Sequence, residues 1–169
     1  MIIIQAKQSK SNKTLEDTIE LLSKLKKELK SNNIVKEVCK EFGFDTDIVD
    51  GVPIEFSSDI DVSAKTVDSH IMLNYNLIDD EFEVIMRYAI HELVHSLQHM
   101  KREGINSDDA KDYLDRDDEM EAFQRQIQYQ QEEVGDDNAS KYVDDLVEYH
   151  EVPNDEKDDK KEELLEKTK

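Results

Sequence analysis

Phe82-Glu83-Val84-Ile85-Met86-Arg87-Tyr88-Ala89-Ile90-His91-Glu92-Leu93-Val94-His95-Ser96-Leu97 decides how this chain is read. Apolar residues recur at Phe82, Ile85, Met86, Ala89, Ile90, Leu93, Val94 and Leu97, the spacing of one buried helix face. Asp80, with Glu83 three residues on, predicts the start of the helix as a capping box. No Gly or Pro interrupts until Gly104, a stop signal just past the basic pair Lys101 and Arg102.

His91-Glu92-Leu93-Val94-His95 falls in mid-helix. Four residues apart on a helix, the two imidazoles share a face one turn apart and can bind a single zinc ion. Glu92, about 100° round the helix from His91, would reach toward a water molecule rather than the ion, as a general base for hydrolysis does. A catalytic zinc takes three protein ligands, so a third is needed. His99 continues the spacing but lies about 12 Å along the axis from His91, whereas zinc to nitrogen bonds are about 2 Å. The metzincin spacing requires Gly at position 98 and His at 101, and Gln98 and Lys101 stand there.

A second helical stretch follows, Asp115-Arg116-Asp117-Asp118-Glu119-Met120-Glu121-Ala122-Phe123. Over roughly residues 65 to 130 the sequence resembles the gluzincins, zinc peptidases in which a glutamate from a following helix joins HExxH. In style it is closest to minimal single-domain gluzincins and the ImmA/IrrE-like group. Many of them carry the ligand as E-x-x-A or E-x-E-A, and Glu119-Met120-Glu121-Ala122 matches. The resemblance implies one zinc per chain held by His91, His95 and Glu119, with Glu121 as second choice, and Glu92 as the catalytic base. It also implies an α+β, mainly helical fold, a zincin-like core with a small sheet packed on the HExxH helix and a Glu-bearing helix after it. A small Ala122 lets helices approach closely. Relatives often have Asp or Asn after the small residue, to support a ligand histidine; Phe123 stands here, leaving Asp117, Asp118 or Glu121 for that task.

Working outward, Thr14 and Asp17 open a first helix with Leu15, Ile19, Leu22, Leu25 and Leu29 at helical spacing, its lysines forming a solvated face. A second runs from Ile34 to Phe42, ended by Gly43, with Cys39 on its apolar side as a core residue. Val52 to Phe56 and His70 to Tyr75 are strand candidates. In gluzincins the edge strand of the sheet binds an extended peptide, and the resemblance makes His70 to Tyr75 that edge. Pro53 suits an edge or a strand start. A loop is expected over 105–111, the Glu119 helix over 115–133, a break at Gly135-Asp136-Asp137 and a last helix over 139–150.

Composition bounds the remainder. The 169 residues predict one domain, 14–152, between an N-terminal extension of 1–13 and a disordered or loosely helical tail of 153–169 made almost wholly of Asp, Glu and Lys. A net charge of −20 argues against a nucleic-acid partner, which needs Lys and Arg to displace counterions. Met1-Ile2-Ile3-Ile4 is too short for a signal peptide or a span, and the one cysteine cannot pair within the chain, so a cytoplasmic protein without a membrane partner is expected. His70, His99 and His150 read as structural; Tyr113, Tyr129, His99 and His150 are the choices for an oxyanion donor. The expected activity is zinc-dependent hydrolysis of a peptide or protein substrate. The alternative is a non-catalytic zinc-binding or regulatory domain of the same fold, and a third reading has no metal, the histidines packing between helices.

Overall fold

The computed structural model describes residues 11–101 and 111–166. Gly104 and the loop expected after it, as far as residue 110, lie outside the described residues. Among the described residues the architecture is α+β and mainly helical, with one three-stranded sheet. No helix among the described residues is long and apolar enough to cross a membrane. The chain divides into two compact units, residues 1–103 and 104–169, each described in turn.

In the first unit, α1 (Leu15–Ser31) starts at a complete capping box: Asp17 N–H donates to the Thr14 hydroxyl at 3.1 Å and Thr14 N–H to the Asp17 carboxylate at 2.8 Å. Leu22, Leu25 and Leu29 are buried along one face. A single residue joins α1 to α2 (Asn33–Glu41). Asn32 ends the first helix, and its side-chain oxygen accepts from Ile34 N–H at 2.9 Å and Val35 N–H at 3.3 Å to start the second. Helix α2 stops as the sequence predicts. Gly43 takes φ +78°, while Phe44 N–H donates to Cys39 C=O and Gly43 N–H to Lys40 C=O, the paired bonds of a Schellman motif. Of the α1 lysines expected to be solvated, Lys26 donates to Asp50 C=O and Lys30 pairs with Asp47 and Asp50, tying α1 to the one-turn helix α3 (Ile48–Gly51).

The sheet has the order β1-β3-β2, with β1 (Ile54–Ser57) parallel to β3 (His70–Asn74) and β2 (Ala64–Val67) antiparallel to it. This corrects the expectation that His70 to Tyr75 is an edge. The strand β2 pairs with its far side, so β3 is central and β1 and β2 are the edges. Pro53 stands just before β1, its carbonyl accepting from Ile71 N–H at 2.9 Å. Asp68 and Ser69, at φ 49° and 64°, make the two-residue turn from β2 to β3, and positive φ at both positions is the mark of a type I′ hairpin. Register places Ile54, Phe56, Ala64, Thr66, Ile71 and Leu73 on one face, and α4 (Phe82–Lys101) packs against β2 and β3 there. Every residue from Ala89 to Gln98 is buried, so this helix is central rather than one-sided.

The described residues of the second unit, 111–166, are mainly α-helical. A 3₁₀ turn, Tyr113–Asp115, leads into α5 (Asp117–Glu133), followed by α6 (Asp136–Tyr149) and α7 (Lys157–Leu165). Leu114, Met120, Phe123, Ile127, Val143, Leu146, Val147 and Leu164 share one core. Gly135 breaks the chain where expected, at φ +106°, and α6 begins at once with Asp136 and Asp137 in its first turn, where the helix dipole favours acids. Composition predicts a disordered or loosely helical tail beyond residue 153; the structure instead has α7 with Leu164 fully buried. Lysines hold it: Lys157 to Glu148, Lys160 to Asp115 at 2.8 Å and Lys161 to Asp144 at 2.7 Å.

Candidate metal centre

The helix that carries the motif begins one turn-residue later than the capping pattern predicts. Asp80 closes the preceding 3₁₀ turn, its N–H donating to Leu77 C=O, and Glu81 C=O accepts the first helical bonds, from Val84 and Ile85. The displacement leaves the mid-helix placement of His91 and His95 unchanged. Their rings meet edge to face at 4.9 Å between centroids, with Nε2 to Nε2 at 3.2 Å.

His95 Nδ1 lies 2.8 Å from Gln98 Oε1. An amide oxygen only accepts, so Nδ1 carries the hydrogen and Nε2 presents its lone pair toward His91. Two donor atoms at about 2.0–2.1 Å from a tetrahedral zinc stand about 3.3 Å apart, so the 3.2 Å separation suits a shared ion.

His91, His95 and Glu119 form a group that could hold a metal ion: one donor atom from each lies within 4.8 Å of the others, both histidines buried and Glu119 partly so. Glu119, the first choice from sequence, is the carboxylate of this group. Two imidazoles and a carboxylate are a donor set that imidazole-binding metals accept, zinc among them. The residues present fit the ion that the motif calls for.

Glu92 is 6% exposed. The Thr66 hydroxyl on β2 lies 2.7 Å from its Oε2 and 3.0 Å from its main-chain carbonyl oxygen. One turn further along α4, Ser96 Oγ donates to Ser69 C=O at 2.9 Å, so the β2–β3 hairpin is tied to the helix at two points.

The other residues singled out from sequence fall elsewhere. His99 is exposed near the end of α4, and His70 faces Glu55 at 3.6 Å on the sheet. His150 stacks on Tyr113 with centroids 4.8 Å apart, and burial pushes its pKa down, with Glu119 pulling weakly the other way. Tyr129 is buried. Phe123 belongs to the apolar core of α5, α6 and α7. Cys39 is buried as expected, and burial pushes its thiol up to about 11. Sequence reasoning missed Gln98 and Thr66. The first sits three residues past His95 on the same helix and was within reach; the second lies 26 residues from Glu92 on a strand that no pattern marked.

Comparison with protein-family models, with curated proteins and with solved structures finds no match to this chain.

Proposed function

We propose that this protein is a zinc-dependent peptidase with a zincin-like core, in which His91, His95 and Glu119 hold the ion and Glu92 is the general base. The observation that carries the reading is Glu92 itself. A metal that only clips two helices together needs no carboxylate beside its ligands, and burying one costs free energy unless it is used or paired. Here a buried glutamate lies in sequence between two histidines whose Nε2 atoms face each other, and its carboxylate is held by a hydroxyl from the sheet.

Zinc, when bound, supplies Lewis acidity that makes water a better nucleophile and polarises a carbonyl. The protein's own groups do the rest. Glu92 takes a proton from the attacking water as its oxygen adds to the carbonyl carbon, then delivers that proton to the amine nitrogen as the C–N bond breaks. Gln98 keeps His95 in the tautomer that turns Nε2 inward. The edge strand β2, which carries Thr66, offers main-chain groups with which an extended peptide can pair.

The test is metal content by mass spectrometry on wild type, His95→Ala, Glu119→Ala, Glu121→Ala and Glu92→Gln, with hydrolysis of a mixed peptide library followed in parallel. About one zinc per chain is expected in wild type, Glu121→Ala and Glu92→Gln, and little in the other two. Glu92→Gln should slow hydrolysis by about 10²- to 10⁴-fold. No zinc in any sample after incubation with the metal, or cleavage by Glu92→Gln at the wild-type rate, would sink the proposal.

A further inference from the structure

The geometry points to Thr66 as a positioning residue for Glu92, a role that rests on the peptidase reading above. A glutamate on a helix has three side-chain torsions, and a general base must keep its carboxylate aimed at one place. The hydrogen bond shown for its carboxylate comes from the sheet and not from α4 itself. The Thr66 hydroxyl donates to Oε2 at 2.7 Å, a well-formed O–H···O hydrogen bond.

The hydroxyl is delivered by a rigid element. Thr66 is paired opposite Ile71 on the helix-facing side of the sheet, four residues of strand end in a tight two-residue turn, and the Ser96–Ser69 bond ties that turn to the same helix. The strand cannot slide without breaking both ties.

The second acceptor is informative. A threonine hydroxyl has one hydrogen, and Glu92 offers it two oxygens, the carboxylate at 2.7 Å and the main-chain carbonyl at 3.0 Å. When the carboxylate moves to take a proton, the hydroxyl can turn to the carbonyl and remain bonded. Thr66 therefore holds the carboxylate at rest without penalising its departure. A residue whose only task was to satisfy a buried group would gain nothing from the second position.

The test uses the full chain loaded with zinc and titrated with acetohydroxamic acid, which binds zinc through two oxygens and donates a hydrogen to a carboxylate placed beside them. Zinc content and thermal unfolding are measured on the same samples. Thr66→Ser, which keeps the hydroxyl, should bind within about twofold of wild type; Thr66→Val, of the same shape without it, should bind about tenfold more weakly. Zinc content should stay near one per chain in both. In a Glu92→Gln background, Thr66→Val should cause no further loss, whereas a merely structural role would weaken both backgrounds alike. If Thr66→Val fails to fold, Thr66→Ala carries the same comparison.

Wild-type affinity in Thr66→Val, loss in Thr66→Ser equal to that in Thr66→Val, or an undiminished effect in the Glu92→Gln background would each overturn the role. A wild-type chain that takes up no zinc overturns the metal reading and this role with it, and zinc content tells the two failures apart.

Discussion

A glutamine three residues after His95 decides which nitrogen of that ring faces inward. With Gln98 Oε1 accepting from Nδ1 at 2.8 Å, the imidazole cannot rotate or change tautomer without losing a buried hydrogen bond. Gln98→Leu should therefore weaken zinc binding by about 10- to 100-fold in a chelator competition, while Gln98→Glu, which keeps the acceptor, stays close to wild type. Equal affinity in the leucine variant would show that the ring is held by other means. At this scale the sequence was legible wherever the chemistry repeats along one helix. His91, Glu92 and His95 are contiguous, so their facing follows from helical geometry alone. Gln98 obeys the same geometry, but a glutamine carries no metal-ligand pattern that would single it out in the sequence. Thr66 was beyond reach, because its partner is set by strand pairing and no local pattern records that.

Among the elements, α1 and α2 were legible because each announces its ends. Thr14 with Asp17, Asn32 and Gly43 are caps whose side chains or backbone freedom satisfy groups the helix leaves open. Gly43 has the clearest requirement, since its φ of +78° lies in the left-handed region while a side chain there would meet nothing closer than Lys101 Nζ at 3.4 Å. Gly43→Ala should thus lose about 1–2 kcal/mol from backbone strain alone, read as a lowered midpoint in urea unfolding with an unchanged slope. A midpoint equal to that of wild type would mean that α2 can end in another conformation. The sheet was harder. Ala64-Lys65-Thr66-Val67 has four residues, none of them buried, so it lacks the alternation that marks a strand. Missing it turned a central strand into an apparent edge, since a sheet's outline depends on every member.

Over the whole molecule, charge is unevenly shared. Residues 104–169 hold 23 Asp and Glu against 9 Lys and Arg, a balance of −14 out of the total of −20. Composition alone makes the end of such a chain look unable to fold. It folds because the lysines of α7 meet acids on neighbouring segments and because Leu164 enters the core of α5 and α6. Exposed ion pairs contribute little each, so the leucine is the anchor. Leu164→Ala should destabilise the protein by about 2 kcal/mol or more and expose α7 to proteolysis; unchanged stability and protease resistance would mean that the ion pairs suffice. The sheet, for its part, favours an order of assembly by its connectivity. Strand β2 comes between β1 and β3 in the chain, yet β3 lies between β1 and β2 in space. The hairpin of β2 and β3 closes across two residues and can form in about 1–10 μs, whereas β1 must close a longer loop to add its parallel pairing. The hydroxyl that meets Glu92 therefore sits on the local hairpin, the part of the sheet expected to form before the parallel β1 pairing.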